Sequence, residues 1–179
     1  LYIGLWDGPA AVTIDDTFRQ IEELGAATGH EEEAAALVES MQTEIDELVA
    51  TTPTPDEPLT VFHELDDTLF SLDSTTLFGE LYGLLGLQNI ADTAEGDSGG
   101  YPQLSAEFVV SADPDLIFLA DTKCCGQSLE TVAARDGWAD MTAVQTGNVI
   151  ELDDDVASGW GPRIVDFLQA VSDAVNAAS

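Results

Sequence analysis

Three prolines within seven residues, from Thr52 to Pro58, exclude a helix across that stretch and favour an extended connection. The rhythm of the chain differs on its two sides. Before the prolines, the apolar spacing is helical. Thr13 is placed as an N-cap with Asp16 three residues on, and Ile14, Phe18, Ile21 and Leu24 continue a helix that stops near Gly29. A second helix is expected from about His30 to Thr51. Glu31, Glu32 and Glu33 suit the positive end of its dipole, and Ala34, Leu37, Met41, Ile45 and Leu48 form a single stripe. At about 1.5 Å per residue this helix is roughly 30 Å long. Leu1 to Leu5 reads as a strand without neighbours, broken by Asp7-Gly8-Pro9.

After the prolines, strands alternate with helices. Leu59 to Leu65 reads as a strand and Thr75 to Leu85 as a helix with Leu77, Phe78, Leu81 and Leu84 apolar. Asp92 to Pro102 is a Gly-rich loop. Ser105 caps a short helix closed by Asp113-Pro114. Leu116 to Ala120 is a continuous apolar strand of the kind found in sheets covered on both faces. Ser128 caps another helix, Trp138 to Thr146 is irregular, and Asn148 to Leu152 is the last strand. An acidic turn, Asp153 to Trp160, follows it. Gly161 is suited to an N-cap and Pro162 to the first helical position, with Val165, Leu168, Val171 and Val175 on one face of the helix beyond. Such alternation implies parallel βαβ units, hence an α/β fold with a mostly parallel sheet flanked by helices.

Composition narrows the function classes. The chain carries 35 acidic residues against 4 basic ones, a net charge of -31 over 179 residues. Its apolar residues keep clean periodicities, so acidity here does not mean disorder. A field of this sign repels nucleic acid and anionic membranes. It fits a protein kept soluble in very high salt, where screening shortens self-repulsion to a few ångströms, and a halophilic source is expected. No apolar run approaches the roughly 20 residues that span a bilayer, and no signal peptide is visible. The chain begins at Leu1 without a Met, which reads as a processed or truncated product.

The loops after the strands hold the candidate chemistry, because ligands of open α/β sheets bind at the carboxyl ends of strands. Phe70, Tyr101 and Trp160 offer flat apolar surfaces, with Asp67, Asp155, Lys123 and Arg163 among them. Core packing accounts for any one aromatic about as well, but three in loops beside Gly and Asp favour a binding surface. Arg163, in the first turn of a helix, opposes the dipole and calls for an anionic partner among Asp153 to Asp155. Cys124-Cys125-Gly126 admits a thiolate metal site, redox chemistry, or small residues in a tight loop joined as a vicinal disulfide. Only His30 and His63 could assist a metal, neither with ligand spacing, and Cys-x-x-Cys is absent, so the third reading is favoured. There is no phosphate loop and no Gly-x-Ser-x-Gly elbow, and His63 lies on a strand without a nucleophile beside it.

Leu104 to Leu119 (Leu-Ser-Ala-Glu-Phe-Val-Val-Ser-Ala-Asp-Pro-Asp-Leu-Ile-Phe-Leu), Leu81 to Ile90, and the Gly-Pro-Arg-Ile-Val start of the last helix resemble the C-terminal lobe of ABC-transporter substrate-binding proteins for cobalamin, siderophores and haem. The resemblance runs closest to the haloarchaeal cobalamin-binding members. It implies a Rossmann-like, three-layer lobe behind a long rigid interlobe helix. Residues 1–29 would end the N-terminal lobe, 30–56 would be the interlobe helix and Pro-rich linker, and 57–179 would be the C-terminal α/β lobe. It also implies a binding protein without catalytic residues, metal or cofactor of its own. That protein would be extracellular, tethered to the membrane by a segment outside this chain, and would deliver a corrinoid to an ABC permease and its ATPase. By the resemblance, Phe70, Tyr101 and Asp155 would face the ligand and Glu107 would dock on the permease; the loop reading adds Trp160, Lys123 and Cys124 to the ligand-facing set. Gly159 stands where some members have an arginine, which suits a corrinoid better than a carboxylate-rich siderophore. Haem or a ferric siderophore is the alternative within the family. A thiol-dependent oxidoreductase using Cys124 and Cys125, and a metal-chaperone lobe, are the alternatives outside it. Without a first lobe, the exposed half of the cleft is expected to drive homodimer formation.

Overall fold

A computed structural model describes residues 13–96 and 98–178; the strand expected over Leu1 to Leu5 lies outside them. The first two helices, α1 (Ile14–Thr28) and α2 (Glu31–Thr51), meet at Gly29, whose φ of 74° supplies the left-handed turn that an L side chain resists. Thr13 and Asp16 form the expected capping box, each accepting the other's backbone N–H at 3.1 Å. On α2 the buried stripe is Ala34, Val38, Met41 and Ile45, not the stripe through Leu37, which is exposed. Leu37 and Val38 both keep i+3 or i+4 spacing to Ala34 and Met41 but stand about 100° apart round the helix, and packing turns Val38 inward. Thr52 ties the end of α2 to the last helix through a buried 2.7 Å hydroxyl pair with Ser172.

The sheet begins at β1 (Thr60–Glu64), followed by α3 (Leu77–Leu84), β2 (Gln88–Asn89) and a 3-10 turn at Ile90–Thr93. Then come α4 (Ala106–Ala112), β3 (Leu116–Leu119), α5 (Thr122–Cys125), α6 (Leu129–Ala133) and α7 (Thr142–Thr146). β4 (Val149–Glu151), α8 (Asp154–Ala157) and α9 (Ile164–Ala178) close the chain. The four strands lie in the order β2-β1-β3-β4 and every pairing is parallel. β1 and β3 are the inner strands, which is why their side chains are buried on both faces. Val61, Leu116 and Phe118 pack with α1, α2, α3 and α9 on one side of the sheet. Phe62, Ile117 and Leu119 pack with Val109, Val132, Trp138 and Met141 on the other. The expected α/β sheet with helices on both faces is thus present. His63, on β1, donates to or accepts from the Tyr82 hydroxyl at 2.8 Å and sits among Phe78 and Phe167; burial pushes its pKa down to about 3, so it is a neutral core residue.

Several local expectations change. α9 starts at Ile164. Gly161-Pro162-Arg163 instead form a tight turn closed by Ile164 N–H on the Gly161 carbonyl at 3.1 Å, so Gly161 is no N-cap. Within Trp138 to Thr146 the chain forms α7, and within Asp153 to Trp160 it forms α8. Asp153 caps α8 by accepting the Asp155 N–H at 2.9 Å, and Val156 and Ala157 are drawn into the core. Leu84 on α3 is exposed.

Candidate ligand-binding site

Because all four strands are parallel, their carboxyl ends share one edge of the sheet. The segment after β1 folds back when Leu65 N–H bonds the Phe70 carbonyl at 2.9 Å. It then runs antiparallel to residues 98–104, through Ser71 to Pro102, Asp73 to Gly100 and Leu104 to Leu69, each at 2.9 Å, with Phe70 bridged to Gln103. This ladder sets Phe70 and Tyr101 on neighbouring backbones. Gly100 makes it possible: its φ is 92°, and a Cβ there would lie 2.8 Å from the Thr76 methyl.

The segments after β3 and β4 are fastened to each other. Asp154 accepts the Thr122 hydroxyl at 2.9 Å and the N–H groups of Lys123 and Cys124 at 3.0 and 2.8 Å. Partial burial alone would raise the Asp154 carboxyl, but these bonds outweigh it and hold it low. The Lys123 ammonium reaches Asp153 at 2.6 Å and Asp155 at 3.3 Å, and its bond to Asp153 keeps that carboxyl below the usual carboxylate range. Arg163, expected to pair with one of these aspartates, instead bonds Asp166 at 3.0 Å. With α9 starting at Ile164, Asp166 is the acid within reach at i+3, and the Asp153–Asp155 cluster is already occupied by Lys123. Arg19 is paired with Asp16 and Glu23.

Of the site residues expected from sequence, the carboxyl edge therefore gathers Phe70, Tyr101, Lys123, Cys124, Asp155 and Trp160. Phe70, Tyr101 and Trp160 are exposed at 39%, 38% and 40%, and among the described residues they are the exposed aromatic rings. Cys124 and Cys125 are both exposed and joined by a disulfide. Glu107 is exposed in the first turn of α4, which Ser105 caps through Phe108 N–H at 3.1 Å. Among the described residues, no group of three or more His, Cys, Asp or Glu side chains could hold a metal ion.

Beneath the edge lies a charged cluster that sequence reasoning missed. Glu64, the last residue of β1, is fully buried, and both its oxygens receive Arg135 at 2.6 Å. Arg135 also donates to Gln127 at 2.8 Å and lies 4.6 Å above the Trp138 ring, a cation–π arrangement. Asp121, two residues after β3, is fully buried, and neither carboxyl oxygen has a hydrogen-bond partner. Burial first, then the nearby Glu64 carboxylate, pushes Asp121 up to about 7. Glu64 and Arg135 are 71 residues apart, so no local spacing pairs them. The available signal was scarcity: Arg135 is one of only 4 basic residues.

A model of the periplasmic binding protein family matches residues 8–156. The chain belongs to that family. Similar proteins include an uncharacterized ABC transporter substrate-binding lipoprotein of Bacillus subtilis, 28% identical over 169 residues, which cover 92% of this chain and 51% of that protein. A cobalamin-binding protein of Halobacterium salinarum is 28% identical over 168 residues, covering 92% of this chain and 45% of its own. The chain thus spans about half the length of these relatives. Among solved structures, the periplasmic haem-binding protein of Roseiflexus superposes with a TM-score of 0.78 at 22% identity, over 93% of this chain and 65% of that one. That likeness establishes the fold of a periplasmic binding protein. Among the described residues, no helix is long and apolar enough to cross a membrane.

Proposed function

We propose that this chain forms the ligand-facing lobe of an extracellular, membrane-tethered substrate-binding protein that captures cobalamin and delivers it to an ABC permease and its ATPase in a halophilic organism. In this reading it catalyses no reaction. The observation that carries the proposal is the placement of every exposed aromatic ring among the described residues on the carboxyl edge of the sheet. Each basic side chain is engaged by an acid, Lys123 and Arg163 beside the edge included. A rim of flat rings without a free cation suits a large, largely uncharged macrocycle held by stacking and apolar contact. It offers little to the carboxylates of haem or of an acidic siderophore. The cobalamin-binding relative in Halobacterium salinarum supports the same choice, and the net charge of -31 supports a high-salt setting. Residues 30–56 serve as the connection between two lobes, residues 1–29 as the end of the first lobe, and residues 57–179 as the second. Glu107 is the docking residue toward the permease.

Trp160→Ala or Tyr101→Ala in the intact protein is expected to weaken cobalamin binding by about 1–3 kcal/mol, through lost stacking and burial. Calorimetry in multimolar KCl measures this directly. Heat with haem or a ferric siderophore, and none with cobalamin, would overturn the assignment. Leu24, Leu37, Val49 and Leu84 are exposed on α1, α2 and α3. The 179-residue chain by itself is therefore expected to self-associate, and a monomeric mass by light scattering at high concentration would refute that.

A further inference from the structure

We propose that the Cys124–Cys125 disulfide is a reversible redox modification site whose state sets the shape of the rim. Both cysteines are exposed on the carboxyl edge, so a small thiol can approach either sulfur, and accessible disulfides are the ones open to exchange. These 179 residues contain Cys124 and Cys125 and no other cysteine, so no third thiol within them competes for either sulfur. Consecutive side chains of a helical turn leave the axis about 100° apart. The disulfide draws the two sulfurs of α5 together into one apolar surface, and reduction replaces that surface with two thiols pointing in different directions.

The backbone of the pair carries the change further. Cys124 N–H donates to Asp154 at 2.8 Å, and Cys125 N–H to the Asp121 carbonyl at 3.2 Å. Asp154 in turn opens α8, which leads to Trp160. The step is an ordinary exchange. A dithiol such as dithiothreitol attacks one sulfur as a thiolate, forming a mixed disulfide and releasing the other cysteine. Its second thiol then closes on the first and frees the remaining cysteine. Two electrons and two protons pass to the protein, and the reagent leaves as a cyclic disulfide.

The consequence for binding rests on the transport reading above; the redox step does not. The test treats the intact protein in multimolar KCl with dithiothreitol, alkylates with iodoacetamide, and follows mass, circular dichroism and hydrogen exchange. Both cysteines are expected to be alkylated while the far-ultraviolet spectrum is unchanged. Exchange over residues 122–126 and 154–158 is expected to quicken by about tenfold. Sulfurs that react only after global unfolding, or identical exchange in the two states, would overturn the proposal. Cys124→Ser/Cys125→Ser represents the open state without a reductant that could alter cobalt, and it is expected to bind cyanocobalamin about tenfold more weakly, about 1.4 kcal/mol. Equal affinity in the double variant and the unmodified protein would also overturn it. If the unmodified protein binds no cobalamin, the transport reading fails, and the exchange measurement alone decides the redox site.

Discussion

Arg135→Met is expected to cost about 3–5 kcal/mol of folding stability, the range for removing one partner of a buried ion pair. The whole of Glu64 is shielded from water, and both its oxygens are held by Arg135 at 2.6 Å. Without the guanidinium, a carboxylate remains in the interior with no counter-charge. Gln127 loses a donor and Trp138 loses the cation over its ring. Burial already pushes the Glu64 carboxyl up, with Arg135 pulling it back, so in the variant Glu64 is expected to take up a proton. The deficit should therefore shrink toward acid pH. Pairing the change with Glu64→Gln should recover a large part of it, since a neutral amide costs less to bury than a carboxylate. Urea unfolding of the unmodified chain, Arg135→Met and the double variant at pH 5 and pH 8, in constant KCl, measures all of this. A loss below about 1 kcal/mol for Arg135→Met would show that the pair behaves like a surface salt bridge.

Asp121→Asn should abolish a component of stability that, in the unmodified chain, falls as pH rises. The folded-state value of about 7 lies above the ordinary 3.8. Between those limits the folded chain holds a proton that the unfolded chain has lost, so stability falls as pH rises through that window and levels off above it. Asparagine has no proton to lose, so its profile should lack this slope. Above pH 7 the variant should be the more stable by about 1–3 kcal/mol, less than the full linkage value because its amide inherits a site without hydrogen-bond partners. Subtracting the two profiles cancels Asp153 and Asp154, whose lowered values give slopes of the opposite sign. Parallel profiles from pH 5 to 8 would mean that Asp121 ionises normally.

Much of the fold was readable where a residue acts on its immediate neighbours. The Thr13 capping box, the left-handed turn at Gly29 and the Ser105 and Ser128 caps all depend on contacts within a few positions, and the strand Leu116–Leu119 announces its double burial by being apolar at every residue. The same locality limits the reading. β2 is 2 residues long and exists only through pairing with β1, so it has no period of its own. Leu37 and Val38 are both apolar, and only packing decides which turns inward. The aromatic rings of the candidate site were visible as chemistry out of place in loops. The Glu64–Arg135–Asp121 cluster was not, because in a chain with 35 acids a further carboxylate carries no signal until the fold shows which ones are buried. Arg163 shows the same effect in reverse: a shift of the helix start to Ile164 changes which acid is within reach.

The fastening of the loops in pairs has a mechanical consequence. Residues 66–73 are laddered to 98–104, and 122–124 are clasped by 153–155, with β1 and β3 adjacent at the centre of the sheet. The rim therefore behaves as two braced jaws instead of four separate fingers. Phe70 and Tyr101 ride on one jaw, while Lys123, the paired sulfurs and the approach to Trp160 ride on the other. Cutting a brace should slacken every contact on its own jaw and leave the opposite jaw aligned.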